Sequence, residues 1–183
     1  MFVDNSLSFQ TGGWTSGQAV SSTAAGTNII DITGAGSGNA PGQINGAGAA
    51  NTAIGADYGQ GDGMSIPYLY VAVTVAGTGT GTITISLAAA PDNGSYSPGT
   101  YTTILTTPAF TGSTLTLGSY YIAQVPPTLF NIPGSYKGQA LPRFYKLTYT
   151  VASTAGATFV AGFVTNPPSA LQGNAYNLNY IVV

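Results

Sequence analysis

The sequence of 183 residues predicts a single all-β domain, built as an antiparallel two-sheet sandwich. Segments rich in Thr, Val, Ile and Tyr recur along the chain and are separated by Gly, Pro, Asn and Asp, as is typical of short strands and turns. Within them apolar and polar residues alternate, which places one face of each strand against a core. No segment shows the periodicity of an amphipathic helix, so helix content should be small.

Residues 68–75 alternate most clearly. Their odd-numbered members are all apolar and should face the core: Leu69, Val71, Val73 and Val75. Residues 82–87 repeat the pattern, and their predicted inward members are Ile83, Ile85 and Leu87. Glycine and threonine alternate from Gly77 to Gly81 between these segments. Because glycine tolerates the positive φ of tight turns, the two segments are predicted to pair as an antiparallel hairpin.

Six further segments have strand character: 2–9, 27–33, 101–106, 115–125 with a candidate break at Gly118, 143–151 and 157–164. In 143–151 the odd positions from Tyr145 to Val151 should face inward, which leaves Lys146 on the outer face. Eight short strands with turn signals between them fit the jelly roll, the eight-stranded form of the sandwich.

Three segments do not follow the strand pattern. Residues 34–63 hold ten glycines and no Phe or Trp, and such a length exceeds that of an ordinary structureless loop. We predict a Gly-rich insertion loop there that is either disordered or ordered by a partner. Residues 126–142 and a C-terminal tail, 167–183, are also expected to extend beyond the sandwich.

The charge content restricts the class of protein. Charged residues make up 4% of the chain, against roughly 25% in an ordinary soluble domain. The net charge is −2, and nearly neutral surfaces associate readily. A hydrophobic content of 44% argues against disorder, and no apolar run is long enough to span a membrane. The first residues lack a secretory-signal pattern and the chain has no cysteine, so we expect synthesis in a cytoplasm.

The sequence offers few candidates for catalytic residues. The chain contains no His, Cys or Glu, which excludes the common nucleophile and general-base arrangements and leaves only a Ser–Lys or Asp pair open. We therefore expect a protein that is not an enzyme and needs no cofactor. Asp57 and Asp62 flank a Gly-rich turn that could offer oxygen ligands to calcium, but their spacing matches no known calcium loop, and an ordinary turn is favoured.

Binding chemistry offers two candidate groups. Lys137, Arg143 and Lys146 form the one basic cluster, which is too small for nucleic acid. Solubility and local ion pairs are the favoured interpretation of this cluster, and docking on an acidic protein surface is the more specific one. Twelve tyrosines and Trp14 suit protein interfaces, because these side chains supply contact area at low entropic cost, although most tyrosines in strands are more simply core or sheet-face residues. A glycan-binding attachment sandwich with platforms at Trp14, Tyr96 or Tyr136 remains an alternative.

Several motifs occur in a recognisable order. They are Thr-Asn-Ile-Ile-Asp at 27–31, a Gly-x-Gly turn at 59–63 before an apolar strand, Gly-Thr-Ile-Thr-Ile at 81–85, Thr-Thr-Pro-Ala at 106–109, and the aromatic strand 143–151 followed by a Gly-rich hairpin into 159–164. In this order they resemble the cement or decoration proteins of tailed-phage capsids, a family typified by the cement protein of a Bordetella podophage. The insertion 34–63 and the tail depart from that pattern.

The resemblance implies a jelly-roll-like homotrimer on the capsid exterior, bound across joints between major capsid proteins, with neither nucleic acid nor membrane as a partner. A shell-forming coat protein is less favoured, because the basic arm that such proteins carry is missing. Candidate contacts, to the capsid or between copies, are Phe2, Trp14, Ile44, Asn45, Tyr58, Lys137, Arg143, Lys146, Tyr176 and Tyr180.

Overall fold

The computed structural model describes residues 2–31, 68–91, 93, 95, 97–125 and 142–165, and at 2–6, 31, 142–143 and 165 it describes the backbone alone. These residues form eleven strands: β1 Phe2–Ser8, β2 Gln18–Val20, β3 Ala24–Ala25, β4 Ile30–Asp31, β5 Tyr68–Thr78, β6 Thr82–Pro91, β7 Thr102–Thr106, β8 Phe110–Thr111, β9 Tyr120–Gln124, β10 Pro142–Ala152 and β11 Gly156–Thr165. Two single-turn 3-10 helices occupy Gly13–Thr15 and Gly112–Thr114. The prediction of an all-β chain is confirmed.

The strands form two antiparallel sheets. Sheet I has the order β1-β11-β5-β9, with β2 also paired to β11, and sheet II has the order β3-β10-β6-β7, with β4 paired to β10 and β8 to β6. With β3 and β4 taken as one strand, and β2 and β8 as short additions, eight strands remain. Sheet I then holds the first, eighth, third and sixth, and sheet II the second, seventh, fourth and fifth. This is the strand order of a jelly roll.

The core lies between the sheets and is filled by the inward-facing residues that alternation predicts for β5, β6 and β10, together with alternate residues of β11, whose orientation was not predicted. These are Leu69, Val71 and Val73 of β5, Ile83, Ile85 and Leu87 of β6, Tyr145, Leu147 and Tyr149 of β10, and Phe159, Ala161 and Phe163 of β11. Aromatic rings join the two layers, because Tyr149 stacks on Phe159 with ring centroids 5.5 Å apart and Tyr145 meets Phe163 edge-on at 5.4 Å. Within the described residues, no helix is long or apolar enough to cross a membrane.

The predicted hairpin between β5 and β6 is wrong. β5 pairs with β11 and β9 in sheet I, whereas β6 pairs with β10, β7 and β8 in sheet II. The hairpin expected between β10 and β11 is wrong for the same reason, because these strands also lie in different sheets. In a jelly roll most consecutive strands change sheet, and alternation has the same period whether two strands pair side by side or face each other across a core.

The Gly77–Gly81 run supplies the predicted positive φ at Gly79 (+83°), but the chain there passes from one sheet to the other and does not close a hairpin. A Cβ at Gly79 would overlap the carbonyl oxygen of Thr154, and one at Gly81 would overlap that of Ala152. The Gly81 N–H donates to the Thr154 carbonyl (2.9 Å), and the Ser113 N–H donates to the Gly79 carbonyl (2.8 Å). Glycine is therefore required because three crossing segments pack backbone against backbone at this end of the sandwich.

Local irregularities account for the remaining differences. Val75 was expected in the core but is 59% exposed, because β5 bulges opposite Thr158 and its alternation shifts. The segment 115–125 begins as a turn at Gly118, whose φ is +81°, so only β9 is strand. Within 27–33 only β4 is strand, and residues 32–33 lie outside the described residues. The short strands β2, β3 and β8 were not predicted; the sequence offers too few residues there to show alternation.

Candidate interaction surfaces

The outer face of sheet I is partly covered by the N-terminal segment, and Gln10 fixes that cover in place. The buried Gln10 side chain accepts a hydrogen bond from the Ala161 N–H (2.9 Å) and donates one to the Gly13 carbonyl (2.9 Å). Next to it, the Phe9 N–H donates to the Ala161 carbonyl at 2.8 Å. A buried amide with both ends satisfied holds a defined geometry, so the 3-10 turn at Gly13–Thr15 is pinned on β11.

Trp14 lies on β11 because that strand carries a glycine beneath it. A Cβ at Gly162 would point outward and overlap Trp14 Cζ2 as well as the Leu7 carbonyl oxygen. Gly13 has φ +64°, a left-handed conformation that glycine adopts without strain and that turns the chain at this point. The indole is thereby half-buried on the outer face, and it remains accessible from one side.

Two aromatic side chains continue from Trp14 across sheet I, and we call Trp14, Tyr70 and Tyr120 the aromatic row. The ring centroids of Trp14 and Tyr70 are 6.0 Å apart, and those of Tyr70 and Tyr120 are 5.7 Å apart and stacked. Burial, together with the neighbouring Tyr120, raises the pKa of Tyr70, so its hydroxyl is a neutral donor and acceptor at physiological pH. The row is an uncharged, pre-ordered contact surface.

The aromatic row ends at the β9 edge of sheet I, where exposed apolar side chains collect. Among the described residues the large exposed hydrophobics are Val75, Leu117 and Tyr120, which are 59%, 69% and 48% exposed. Val75 and Leu117 lie close to β9, because the Gly118 N–H donates to the Val73 carbonyl. Beneath this edge an apolar cleft of about 170 Å³ opens between the sheets, lined among others by Phe110, Leu115 and Tyr121.

The outer face of sheet II is polar in its middle and apolar at one end, where the outward residues Ala88, Ala90 and Phe144 are buried. Thr84, Ser86, Thr148 and Thr150 alternate outward, and none of them is buried. Lys146 lies on this face with its Nζ 3.9 Å from the centroid of the Tyr101 ring, a cation–π contact. Burial raises the pKa of Tyr101, and its hydroxyl finds no hydrogen-bond partner among the described residues.

The structure places only some of the predicted contact residues. Trp14 lies on sheet I and Lys146 on sheet II, so these two face opposite directions and do not form one site. Phe2 pairs with Thr165 in sheet I, and Arg143 belongs to β10, but their side chains are not described. The other predicted contacts lie outside the described residues: Ile44, Asn45, Tyr58, Lys137, Tyr176 and Tyr180. The glycan platforms Tyr96 and Tyr136 and the aspartates 57 and 62 lie outside them as well.

Sequence reasoning missed the residues that organise the sheet I surface. Gln10, Tyr70 and Gly162 were not singled out, although the apolar run of β11 contained a signal. Val160 and Val164 point away from the core and are nonetheless buried. A strand that is apolar on both faces is covered on both faces, so this run predicts an outer cover over β11.

The described residues include no group of three or more His, Cys, Asp or Glu side chains that could hold a metal ion. What the geometry defines is an eight-stranded jelly roll, an architecture shared by viral capsid and lectin domains, with an aromatic row on one outer face.

The chain belongs to the Bbp16 family, whose family model matches residues 14–164. The match covers the jelly roll from Trp14 to the last residue but one of β11. Bbp16 is a family of Bordetella phage proteins, and membership indicates a virion-associated phage protein. The suspected relationship to a family of Bordetella phage proteins is thereby confirmed. A comparison with curated proteins gives no significant match.

Proposed function

We propose that this protein is a capsid cement protein, which binds the outside of a phage capsid and stabilises contacts between major capsid proteins. In this role the protein is not an enzyme, needs no cofactor, and has the major capsid protein and other copies of itself as partners. We further propose that it acts as a homotrimer and binds neither nucleic acid nor membrane. Family membership and the jelly-roll strand order support the virion setting.

The aromatic row is the observation that favours a protein partner. Tyr and Trp are enriched at protein interfaces, because they combine a large apolar surface with a polar tip and few rotatable bonds. The rings of Tyr70 and Tyr120 already stack on each other, so little side-chain entropy is lost when a partner covers them. Of the side chains that the structure describes, only that of Lys146 carries a formal charge, so binding requires little desolvation of charge.

The physical consequence of such binding is stabilisation by mass action. A protein that binds the assembled shell and not its separated subunits shifts the equilibrium toward the shell. An oligomer that touches several capsid proteins makes its second and later contacts intramolecular, so modest individual affinities combine into strong attachment.

The direct test is binding of the purified protein to expanded capsids that lack it, measured by co-sedimentation and by the temperature at which the capsids lose their DNA. We expect saturable binding and a higher release temperature. Tyr70→Thr should weaken binding about tenfold, equivalent to about 1.4 kcal/mol. Tyr101→Thr, which removes a half-buried tyrosine from the outer face of sheet II, is the matched control and should leave binding unchanged.

Two results would contradict the proposal. One is the absence of binding to stripped capsids combined with binding to a glycan array, which would favour the attachment sandwich. The other is assembly of the purified chain into closed shells by itself, which would identify a coat protein.

A further inference from the structure

The open side of β9 has a defined hydrogen-bonding pattern. Among the described strands, β9 pairs with β5 on one side and has no neighbour on the other. The Val73 N–H donates to the Ser119 carbonyl at 2.9 Å, which fixes the phase of the ladder. Because hydrogen-bonded positions alternate in an antiparallel pair, Tyr121 and Ala123 bond to β5. Tyr120, Ile122 and Gln124 therefore direct their N–H and C=O groups to the open side.

This edge lacks the usual protection against strand addition. Natural sheet edges are protected by charged residues, proline, bulges or shortness, and β9 carries neither charge nor proline over its five residues. The opposite edge of sheet I differs, because β1 contains Asp4 and its pairing to β11 is irregular between Val3 and Ser8. Of the two edges that the described strands give sheet I, the β9 edge is therefore the one that offers a regular, uncharged ladder of donors and acceptors.

The surroundings of β9 specify the side chains of an added strand. Outward-facing residues of that strand would pack on the exposed Tyr120 and Leu117, and inward-facing ones would enter the cleft beside Tyr121. The cleft, at about 170 Å³, is apolar and suits an aliphatic side chain. The edge therefore fits an extended, uncharged segment with apolar residues on alternate positions.

Residues 175–183 of this chain have that chemistry. Their sequence, Ala-Tyr-Asn-Leu-Asn-Tyr-Ile-Val-Val, has no charge, glycine or proline, and its even-numbered positions are all apolar: Tyr176, Leu178, Tyr180 and Val182. We propose that the open edge of β9 binds residues 175–183 of a neighbouring copy as an added antiparallel strand. The proposal deepens the proposed function and rests on it, because it supplies the self-association that a cement oligomer requires.

The topology favours a neighbouring copy over the same chain. β11 ends at the same end of sheet I where β5 begins and β9 finishes, because Val164 pairs with Tyr68 and Tyr68 with Gln124. At that end of sheet I, the chain enters β5 and leaves β9 between Thr165 and the open side of β9, and connections at one end of a sheet rarely cross one another. Residues 166–183 span up to about 60 Å when extended, which is enough to reach another copy.

The antiparallel direction follows from matching polarity along the edge. β9 begins beside Leu117 and ends at the exposed Gln124. An antiparallel strand brings its apolar final residues, 180–183, to Leu117 and leaves the asparagines nearer Gln124. Such a contact joins two different surfaces, so successive copies form a ring when the rotation between them closes, and a rotation of one third of a turn gives the proposed trimer.

Two complementary variants of the full chain test this contact. Deletion of residues 175–183 removes the added strand and leaves the edge intact. Ile122→Pro removes an N–H on the open side without removing a bond to β5, a position where an edge strand tolerates proline. Sedimentation equilibrium should give the mass of one chain for each variant alone, three chains for the unaltered protein, and three for the control Ile122→Val.

Mixing the two variants is the decisive measurement. The intact tail of the Ile122→Pro protein should bind the intact edge of the deletion protein and give a complex of one copy of each. Tyr120→Pro, at another outward-directed position, replaces Ile122→Pro if the latter does not fold by circular dichroism. A trimer that persists after the deletion, or two folded variants that do not associate, overturns the proposal. Capsid binding by the unaltered protein is scored separately, so the cement function stands or fails independently of this contact.

Discussion

The two sheets of the sandwich have similar inner faces but different outer faces. In sheet I the outward residues Val160 and Val164 are buried, Gly162 lies under Trp14, and an aromatic row crosses the strands. In sheet II the central outward residues are threonines and a serine, and Lys146 carries the one charge among the described side chains. The outward residues Ala88, Ala90 and Phe144 at one end of sheet II are buried as well. The two outer faces therefore differ in chemistry, because sheet I presents stacked aromatic rings beside its N-terminal cover and the middle of sheet II presents hydroxyl groups.

The largest expected effect is on the packing of the N-terminal segment against sheet I. Gly162→Ala places a methyl group against Trp14 and the Leu7 carbonyl, so either the indole or the segment must move. We expect a loss of about 3 kcal/mol in the free energy of unfolding, at the upper end for overpacked sites. Urea unfolding measures it, with Thr148→Ala on the outer face of sheet II as the control, expected to change stability by less than about 0.5 kcal/mol. Equal losses at both sites would remove the distinction between the outer faces.

A smaller effect is expected inside the core, where sheet II contributes a tyrosine hydroxyl. Tyr149 is fully buried, and its hydroxyl has no hydrogen-bond partner among the described residues. Tyr149→Phe keeps the stacking on Phe159 and removes an unsatisfied polar group, so it should stabilise the fold by about 1 kcal/mol. The exposed Tyr120→Phe is the control. Destabilisation by Tyr149→Phe would mean that the hydroxyl has a partner outside the described residues.

The same hydroxyl makes stability depend on pH in the alkaline range. Burial raises the pKa of Tyr149 above its ordinary value of 10.0, so the unfolded chain releases this proton before the folded one does. The contribution of this raised pKa to the free energy of unfolding is fully present below about pH 10. It is lost as the pH rises above that value, by up to about 1.4 kcal/mol per pH unit. Tyr149→Phe should therefore reduce the fall in urea midpoint between pH 9 and pH 11. An unchanged fall would assign the alkaline transition to other groups.

The smallest effect is expected at the charged site on sheet II. Lys146→Met keeps the aliphatic stem over Tyr101 but removes the charge, and a partly exposed cation–π contact contributes about 0.5 kcal/mol. Lys146→Arg should preserve stability. If Lys146 also docks on an acidic capsid surface, Lys146→Met should weaken capsid binding more at low salt than at high salt, because salt screens exposed charges. Loss of binding that is independent of salt would assign the residue a packing role instead.

The orientation of the strands could be predicted from the sequence, but their pairing into two sheets could not. Alternation predicted the inward residues of β6 and β10 correctly, and those of β5 as far as Val73, because burial on one face imposes a period of two. It could not distinguish strands that pair from strands that face each other across the core, so both predicted hairpins were wrong. Val75 was misplaced because a bulge leaves no trace in the pattern.

The candidate surfaces were less predictable than the fold. Trp14 was singled out as an aromatic, but its position depends on Gln10 and Gly162, which are distant in sequence from each other and belong to no motif. The predicted basic cluster stays a prediction, because of its three side chains the structure describes only that of Lys146. Packing between residues that are distant in sequence decides which side chains meet at a surface, and the pattern of a single sequence does not show that packing directly.

A cryo-EM reconstruction of the phage particle would show directly whether this protein sits on the capsid and joins its subunits. We expect jelly-roll density on the outer surface, with sheet I and its aromatic row against adjacent major capsid proteins and an added strand beside β9 between copies. Density for this chain in the tail or a host-attachment fibre, or outer-surface density that contacts a single capsid subunit, would contradict it.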